Sequence, residues 1–221
     1  MNKLVTALPK GRLLSPVIES LQKAGLISKE LDIDLISRKL VFNDKKNNSF
    51  LLAKPKDVPA YVEHGAADIG ITGKDVIEEN ERNIYELLDL GYGECNLVVA
   101  VPADSGIKTI YDIPEHSRVA SSYPNISENF FKKNGIQVEL IYLNGSVELA
   151  PQVGISDFIV DISSSGKTLA KNDLIPIAEI IKSSARLIVN NVSYKTRHNE
   201  IIELVNRINN GRNNDAGNQV S

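Results

Sequence analysis

The sequence predicts an α/β protein made of two lobes of similar construction, with its active site in the cleft between them. Short apolar runs alternate with stretches of helical periodicity, which is typical of sheets covered by helices. Gly65-Ala-Ala-Asp68 before the strand-like IGIT is matched by Gly154-Ile-Ser-Asp157 before FIVDI, and both strands enter small polar loops, TGKD and SSSGKT. Loops at the carboxyl ends of strands commonly form the ligand sites of open α/β sheets.

Length and composition restrict the protein class. A chain of 221 residues, 42% of them hydrophobic, suffices for one large domain or two small lobes. A net charge of −3 argues against sequence-independent binding of nucleic acid, which needs a basic surface. No apolar run approaches the roughly 18 residues that span a bilayer, and the N-terminus lacks a secretory signal. With the single Cys95 excluding an intramolecular disulfide, we expect a cytoplasmic protein with no membrane partner.

The first lobe is predicted from residues 1–90 together with 175–208. It opens with a strand in LVTAL that leads into the loop PKGRLL. Ser15 and Pro16 predict the N-cap and first residue of a helix, and Gly25 predicts its end. The later elements are expected to be a strand around 34–41, the strand FLLAK, a helix over 59–64 and a strand in ADIGIT.

The second lobe is predicted from residues 91–174. The apolar stretch GYGECNLVVAVPADS is the expected crossover, and residues 118–143 repeat the order strand, proline-containing loop, helix, glycine and strand. After Asp173 the chain is expected to return to the first lobe. Residues 209–221, NNGRNNDAGNQVS, are polar and predict a disordered tail.

The stretch DISSSGKTL, residues 161–169, predicts a ribose-5-phosphate site. SSSGKT offers hydroxyls, a lysine and a glycine that can adopt positive φ, and backbone N–H groups in such a turn form an anion-binding nest. In a nucleotide-binding P-loop, Asp161 would be a glycine, because a carboxylate obstructs and repels the phosphates. A carboxylate instead accepts hydrogen bonds well from the vicinal hydroxyls of a ribose. Glu148 is a candidate second acceptor.

Basic residues cluster beside the predicted strand ends of the first lobe. They are Lys10, Arg12, Arg38, Lys39, Lys54, Lys56 and Lys74. Arginine suits bidentate phosphate contacts, whereas lysine acts as a point charge. The cluster indicates a ligand with more negative charge than one phosphomonoester. The three histidines show no metal-ligand spacing, and of Asp68 and Asp157 we expect only one to contact ligand.

Several stretches together resemble the catalytic subunit of the ATP phosphoribosyltransferase family. They are ALPKGRL, SRKL, KPKDVPAYVEHGAADIGITGKDV, YELLDLGYGECNLVVA, YPNI, LNGSVELAP, DISSSGKTL and ARLIVN. The run E-x5-G-x-S-x2-I-x-D-I-x2-S-G-x-T-L, from Glu148 to Leu169, is similar to the family signature. The resemblance implies a fold like that of the type II periplasmic binding proteins.

The resemblance also implies a reaction and a set of site residues. The family transfers phosphoribosyl from 5-phosphoribosyl 1-pyrophosphate (PRPP) to N1 of the adenine of ATP, with Mg²⁺ on the substrate phosphates and no protein metal site, as the first step of histidine biosynthesis. The PRPP-binding residues would be Glu148 and Asp161 for the ribose, and Ser163, Ser164, Ser165, Gly166, Lys167 and Thr168 for its phosphate. The residues for ATP and pyrophosphate would be Lys10, Gly11, Arg12, Arg38 and Lys54, of which Lys10, Arg12 and Arg38 would be catalytic. Lys167 stands where the family often has arginine, so a bidentate contact would be lost there.

The chain length resembles the short form of the family, which implies partners and leaves alternatives open. The short form works with a regulatory subunit related to histidyl-tRNA synthetase, so a hetero-octamer containing homodimers of the catalytic chain is expected. A ribose site does not identify the acceptor, so a phosphoribosyltransferase with another base remains an alternative. A non-catalytic two-lobed solute-binding module remains a second one.

Overall fold

The computed structural model describes residues 4–28, 40–43 and 48–217, with side chains as far as Gly211. The chain forms two compact units. The first contains residues up to Gly93 and those from Ser184 onward, and the second is Glu94–Ser183. Each unit has a mixed sheet with flanking helices, so the predicted α/β class is confirmed. No helix in these ranges is both long and apolar enough to cross a membrane.

The first unit is built on a six-stranded sheet with the order β2-β3-β1-β4-β11-β5. Its strands are β1 Val5–Pro9, β2 Val41–Asn43, β3 Ser49–Ala53, β4 Ile69–Gly73, β5 Ile84–Asp89 and β11 Ala185–Asn190. Its helices are α1 Leu14–Lys23, α2 Val58–Glu63, α3 Lys74–Asn80, α6 Asn191–Thr196 and α7 His198–Gly217. Strands β1, β3 and β4 are parallel neighbours, whereas β11 runs antiparallel to β4 and β5. The predicted strand over 34–41 falls mostly outside the described residues.

Helix α1 begins earlier than its sequence pattern predicts. A 3-10 turn, Gly11–Leu13, precedes it and sets helical backbone geometry before Ser15 is reached. Ser15 therefore lies inside the first turn, and Leu13 holds the N-cap position without a side-chain cap. The predicted end is confirmed, because Gly25 takes a φ of 68° immediately after the helix, a conformation that favours glycine.

The second unit is built on a five-stranded sheet with the order β10-β6-β9-β7-β8. Its elements are β6 Cys95–Pro102, β7 Ser117–Ser121, α4 Pro124–Lys133, β8 Val138–Tyr142, β9 Phe158–Ser163, α5 Lys167–Lys171 and β10 Leu174–Ser183. Strands β7, β8 and β9 are parallel, and β6 is antiparallel to β9. The chain does not return to the first unit after Asp173. Strand β10 pairs with β6 along its whole length, so the return comes at Ser184.

The C-terminal helix is longer than the sequence predicts. The sequence pattern predicts a disordered tail from residue 209, yet residues 209–217 continue α7. The buried side chains Ile201, Leu204 and Ile208 anchor this helix to the first core. A helix that is already nucleated extends at little further cost, because each added residue gains one hydrogen bond. The remaining tail, 218–221, lies outside the described residues.

Asp68 and Asp157 have the same backbone role in the two units. The N–H of Asp68 donates to the carbonyl of Val5 (2.9 Å), and the Val5 N–H donates back to Oδ2 of Asp68 (2.8 Å). Asp157 and Arg118 exchange the same two bonds, at 2.8 and 2.7 Å. Each carboxylate thus joins two parallel strands at their amino ends, the edge opposite the predicted ligand loops. The expectation that one of the pair contacts ligand is not supported by this placement.

Asp68 has more hydrogen-bond partners than Asp157 and is less exposed. Asp68 also accepts from the Ser193 hydroxyl (2.7 Å) and from Nη1 of Arg197 (3.2 Å), and its side chain is only 17% exposed. Asp157 is 47% exposed and contacts Nη2 of Arg118 (3.0 Å). That hydrogen bond, with the backbone N–H of Arg118, lowers the pKa of Asp157. The larger set of partly buried partners makes Asp68 the stronger structural anchor.

Candidate functional site

The turn that follows β9 in the second unit holds the predicted phosphate-binding residues. The N–H of Gly166 donates to Oγ of Ser163 (3.1 Å), which closes the turn, and Gly166 has a φ of 70°. Helix α5 starts at the next residue. The side chains of Ser164, Ser165, Lys167 and Thr168 are exposed. The segment is therefore a short, closed turn that presents hydroxyls and one ammonium group to solvent.

Two carboxylates, Asp161 and Glu148, lie near this turn. Asp161 is half-buried in the last part of β9, where its Oδ1 accepts from the N–H of Ile162 (2.8 Å). Glu148 is half-buried in a 3-10 turn, Val147–Leu149, that follows β8. Strands β8 and β9 flank β7 in parallel, so both carboxylates are at the carboxyl edge of the same sheet.

An apolar cluster fixes the Glu148 turn and the 163–166 turn within one unit. Val147, beside Glu148, and Leu169, in α5, are 1% and 3% exposed and belong to one cluster that also contains Ile159 of β9. Because these three side chains pack together, neither turn can move far without opening the core. The structure thus brings together Glu148, Asp161 and residues 163–168, as the sequence predicts.

The carboxyl edge of the first sheet places two lysines side by side. Pro9 and Ala53 are register partners at the ends of β1 and β3, and the N–H of Lys10 donates to the carbonyl of Ala53 (2.7 Å). Lys10 and Lys54 therefore begin neighbouring turns on strands about 4.8 Å apart. Within the part of the chain that the structure describes, neither ammonium group has an ion-pair partner.

The turn after Lys10 leaves room for a ligand. Gly11 has a φ of 83°, and no atom lies within 4 Å of the place where a Cβ would stand. Arg12, the next residue, has an exposed side chain. The backbone at Gly11 is thus open to close approach. Arg38, the fourth cation predicted for this site, lies outside the described residues.

Lys74 differs from the other strand-end lysines because it is already neutralised. Its Nζ lies 2.7 Å from Oε1 of Glu78 and 2.7 Å from Oε2 of Glu86. Burial opposes the charged form, yet these hydrogen bonds raise the pKa of Lys74. Arg186 continues the network through Glu86 (3.1 Å) and Asp89 (3.0 Å). No local pattern predicts this network, because Glu86 and Arg186 are 100 positions apart.

The described residues contain no cluster of side chains that could hold a metal ion by themselves. Across 4–28, 40–43 and 48–217, no three His, Cys, Asp or Glu side chains come together as ligands. A magnesium ion needs no such cluster when substrate phosphates and water supply most of its ligands.

Comparison with known sequences gives close matches over most of the chain. The HisG family model, described as ATP phosphoribosyltransferase, matches residues 54–210. The chain is 64% identical over 210 residues to the ATP phosphoribosyltransferase of Halothermothrix orenii, covering 95% of this chain and 94% of that protein. It is 51% identical over 206 residues to the protein of the same name from Thermoanaerobacter sp., covering 93% and 94%.

Comparison with solved structures also finds an ATP phosphoribosyl transferase, and it confirms the predicted fold. A chain of the ATP phosphoribosyl transferase (HisG:HisZ) complex from Thermotoga maritima superposes with a TM-score of 0.80 at 33% identity, covering 94% of this chain and 98% of that one. The substrate-binding protein of an amino-acid ABC transporter matches with a TM-score of 0.63 at 16% identity, covering 96% and 94%. The second likeness is one of fold alone, and it agrees with the type II periplasmic-binding-protein class.

Proposed function

The chain belongs to the ATP phosphoribosyltransferase family, and from this premise we propose which of its residues bind the two substrates. The reaction transfers the phosphoribosyl group of PRPP to N1 of the adenine of ATP and releases pyrophosphate. It is the first step of histidine biosynthesis. The chain is accordingly a pentosyltransferase, and each unit contributes a distinct group of candidate residues.

The second unit binds the phosphoribosyl group in this proposal. The observation that carries it is a half-buried carboxylate, Asp161, two residues before a closed turn rich in hydroxyls. Asp161 and Glu148 accept hydrogen bonds from the ribose diol, since ionised carboxylates are strong acceptors for hydroxyl groups. Ser163–Thr168 bind the 5′-phosphate through backbone N–H groups, hydroxyls and Lys167.

The first unit binds pyrophosphate and the ATP phosphates in this proposal. Lys10 and Lys54 are adjacent like charges without ion-pair partners in the described part of the chain, an arrangement that a bound anion stabilises. Gly11 allows the backbone to approach the anion, and the Arg12 guanidinium group can donate two parallel hydrogen bonds to it. We include Arg38 in this set on the resemblance of SRKL alone.

The chemistry requires stabilisation of a leaving group more than a protein nucleophile. Attack by N1 of adenine forms a bond to C1′ while the C1′–O bond to pyrophosphate breaks, with positive charge on the ribose and growing negative charge on pyrophosphate. Cations placed at the leaving group lower the barrier, because they interact more strongly with the transition state than with PRPP. We assign this role to Lys10, Arg12 and Arg38. Alignment of the two substrates supplies the rest.

We propose that magnesium is the metal and that the substrate phosphates carry it. When bound, the ion neutralises phosphate charge. Lys10, Arg12 and Arg38 would add hydrogen bonds to the pyrophosphate oxygens.

A product assay tests the proposed function. The purified chain, alone and together with the regulatory subunit proposed below, is mixed with PRPP, Mg²⁺ and either ATP or another nucleobase compound as acceptor, and the products are identified by mass spectrometry. We expect phosphoribosyl-ATP and pyrophosphate in equal amounts. Formation of product only with another nucleobase would support the alternative acceptor instead, and binding of PRPP without any product would support the solute-binding alternative.

Replacement of Asp161 by alanine is expected chiefly to weaken PRPP binding. Loss of a hydrogen bond to a charged group costs about 1.5–3 kcal/mol, which corresponds to a roughly 10- to 150-fold rise in the dissociation constant. Isothermal titration with PRPP measures this directly. Asp104→Ala is the matched control, because Asp104 is an exposed aspartate just after β6, at the opposite edge of the same sheet. An unchanged dissociation constant for Asp161→Ala would remove this residue from the site.

We further propose that the chain works with a regulatory subunit related to histidyl-tRNA synthetase, in a hetero-octamer with homodimers of the catalytic chain. The observation that favours it is the likeness to a chain of the Thermotoga maritima HisG:HisZ complex, at 33% identity. We place the enzyme in the cytoplasm, where ATP and PRPP are available.

A further inference from the structure

The turn that carries Lys10, Gly11 and Arg12 rests on Gly93, the residue after which the chain leaves the first unit. Gly93 has a φ of 69°, and a Cβ placed there would overlap Cδ2 of Leu13 and would lie 3.7 Å from its Cγ. Leu13 therefore lies against the bare face of Gly93. Any larger residue at position 93 would have to displace the leucine side chain.

Leu13 attaches the carboxyl end of the turn to the core. It is the last residue of the Gly11–Leu13 turn, and it is half-buried against the main apolar cluster of the first unit. Arg12, immediately before it, is exposed. The position of Arg12 therefore depends on how firmly its neighbour is packed.

The surface beneath Leu13 is itself fixed. The carbonyl of Tyr92, next to Gly93, accepts a hydrogen bond from the N–H of Ala185 (2.9 Å), at the start of β11. Tyr92 also packs against the same apolar cluster as Leu13. The segment that ends at Gly93 is thus held by the sheet, and it provides a rigid support for the turn.

We propose that Leu13 is a positioning residue for the phosphate-binding turn, and that glycine at position 93 provides the space that the Leu13 side chain occupies. The inference deepens the proposed function, because it presumes that Lys10 and Arg12 bind phosphate groups. A displacement of about 1 Å at a reacting centre can cost a hundredfold in rate, so small shifts of Leu13 are enough to reduce activity.

A double-mutant cycle tests the proposal. Gly93→Ala is expected to lower kcat/KM by roughly tenfold to a hundredfold, mainly through kcat. Leu13→Ala alone is expected to lower it several-fold. In the double variant, Leu13→Ala removes the atoms that the new Cβ would strike, so kcat/KM is expected to recover to the level of Leu13→Ala. Recovery of activity, rather than of melting temperature alone, distinguishes positioning from a purely structural contact.

Gly65→Ala is the matched control for backbone strain. Gly65 also has a positive φ, 73°, but the nearest atom to an added Cβ is 3.9 Å away. The control should lose stability without losing kcat. The proposal is overturned if Gly93→Ala, like Gly65→Ala, lowers stability and leaves kcat unchanged. It is also overturned if the free-energy losses in kcat/KM of the two single variants add in the double variant. If Gly93→Ala does not fold, an unchanged kcat/KM in Leu13→Ala overturns it.

Lys10→Ala separates this proposal from the function on which it rests. If Lys10→Ala reduces kcat/KM while the Leu13 and Gly93 effects are additive, only the positioning role is overturned. If Lys10→Ala leaves kcat/KM unchanged, the phosphate-binding role of the turn is overturned, whatever the result of the cycle.

Discussion

Arg12→Ala is expected to lower kcat by a hundredfold or more, equivalent to about 3–4 kcal/mol of lost transition-state stabilisation. The physical reason is that the negative charge on pyrophosphate grows as the C1′–O bond breaks, and a guanidinium group can contact two of its oxygens at once. The side chain is exposed, so its removal should leave the melting temperature nearly unchanged. Steady-state kinetics at saturating ATP and PRPP measure the effect.

Two further variants show whether charge or geometry is responsible for the Arg12 effect. Arg12→Lys keeps the positive charge but loses the guanidinium group that contacts two oxygens at once, so an intermediate kcat is expected. Arg82→Ala is the control, because Arg82 pairs with Glu63 (2.9 Å) just before β5, at the amino edge of the sheet. If kcat of Arg12→Ala stays within a few-fold of the parent under saturating substrate, the assignment to the leaving group is wrong.

Asp68→Ala is expected to destabilise the first unit by about 1.5–3 kcal/mol, the usual contribution of hydrogen bonds to a charged group. The substitution leaves the hydroxyl of Ser193 and the N–H of Val5 without this acceptor, whereas the guanidinium of Arg197 keeps its contact with Glu200. Hydrogen exchange resolved by peptide measures the loss in each unit separately. Amides of β1 and β4 should exchange faster, whereas those of β7 and β9 should not change.

Asp157→Ala is the internal control for this effect. It removes the equivalent backbone bond in the second unit, but Asp157 is 47% exposed, so solvent screening reduces its contribution. Faster exchange is expected in β7 and β9, with a smaller change than Asp68→Ala causes in the first unit. Equal changes in both units for either variant would contradict the proposed local roles of the two aspartates.

Much of the candidate site was predictable because its signals are local. The change from carboxylate to hydroxyl-rich turn at Asp161–Thr168 lies within one short stretch, and turn geometry depends mainly on nearby residues such as Gly166. Lys10 and Lys54 were predicted to stand at strand ends, and the register of β1 and β3 places them side by side. Their roles toward substrate stay predictions, as does the role of Arg38.

By itself, the sequence determined the α/β class, the repeated order of elements and the turn that follows β9, since periodicity and turn chemistry act over a few residues. The assignment of β10 to the second sheet required the tertiary structure, because the sequence pattern of a strand does not show which of the two sheets it joins. The tertiary structure likewise decided that Lys74 is neutralised by Glu86, and that Leu13 rests on Gly93. These contacts join residues far apart in the chain, and their energies depend on distances that no local pattern encodes.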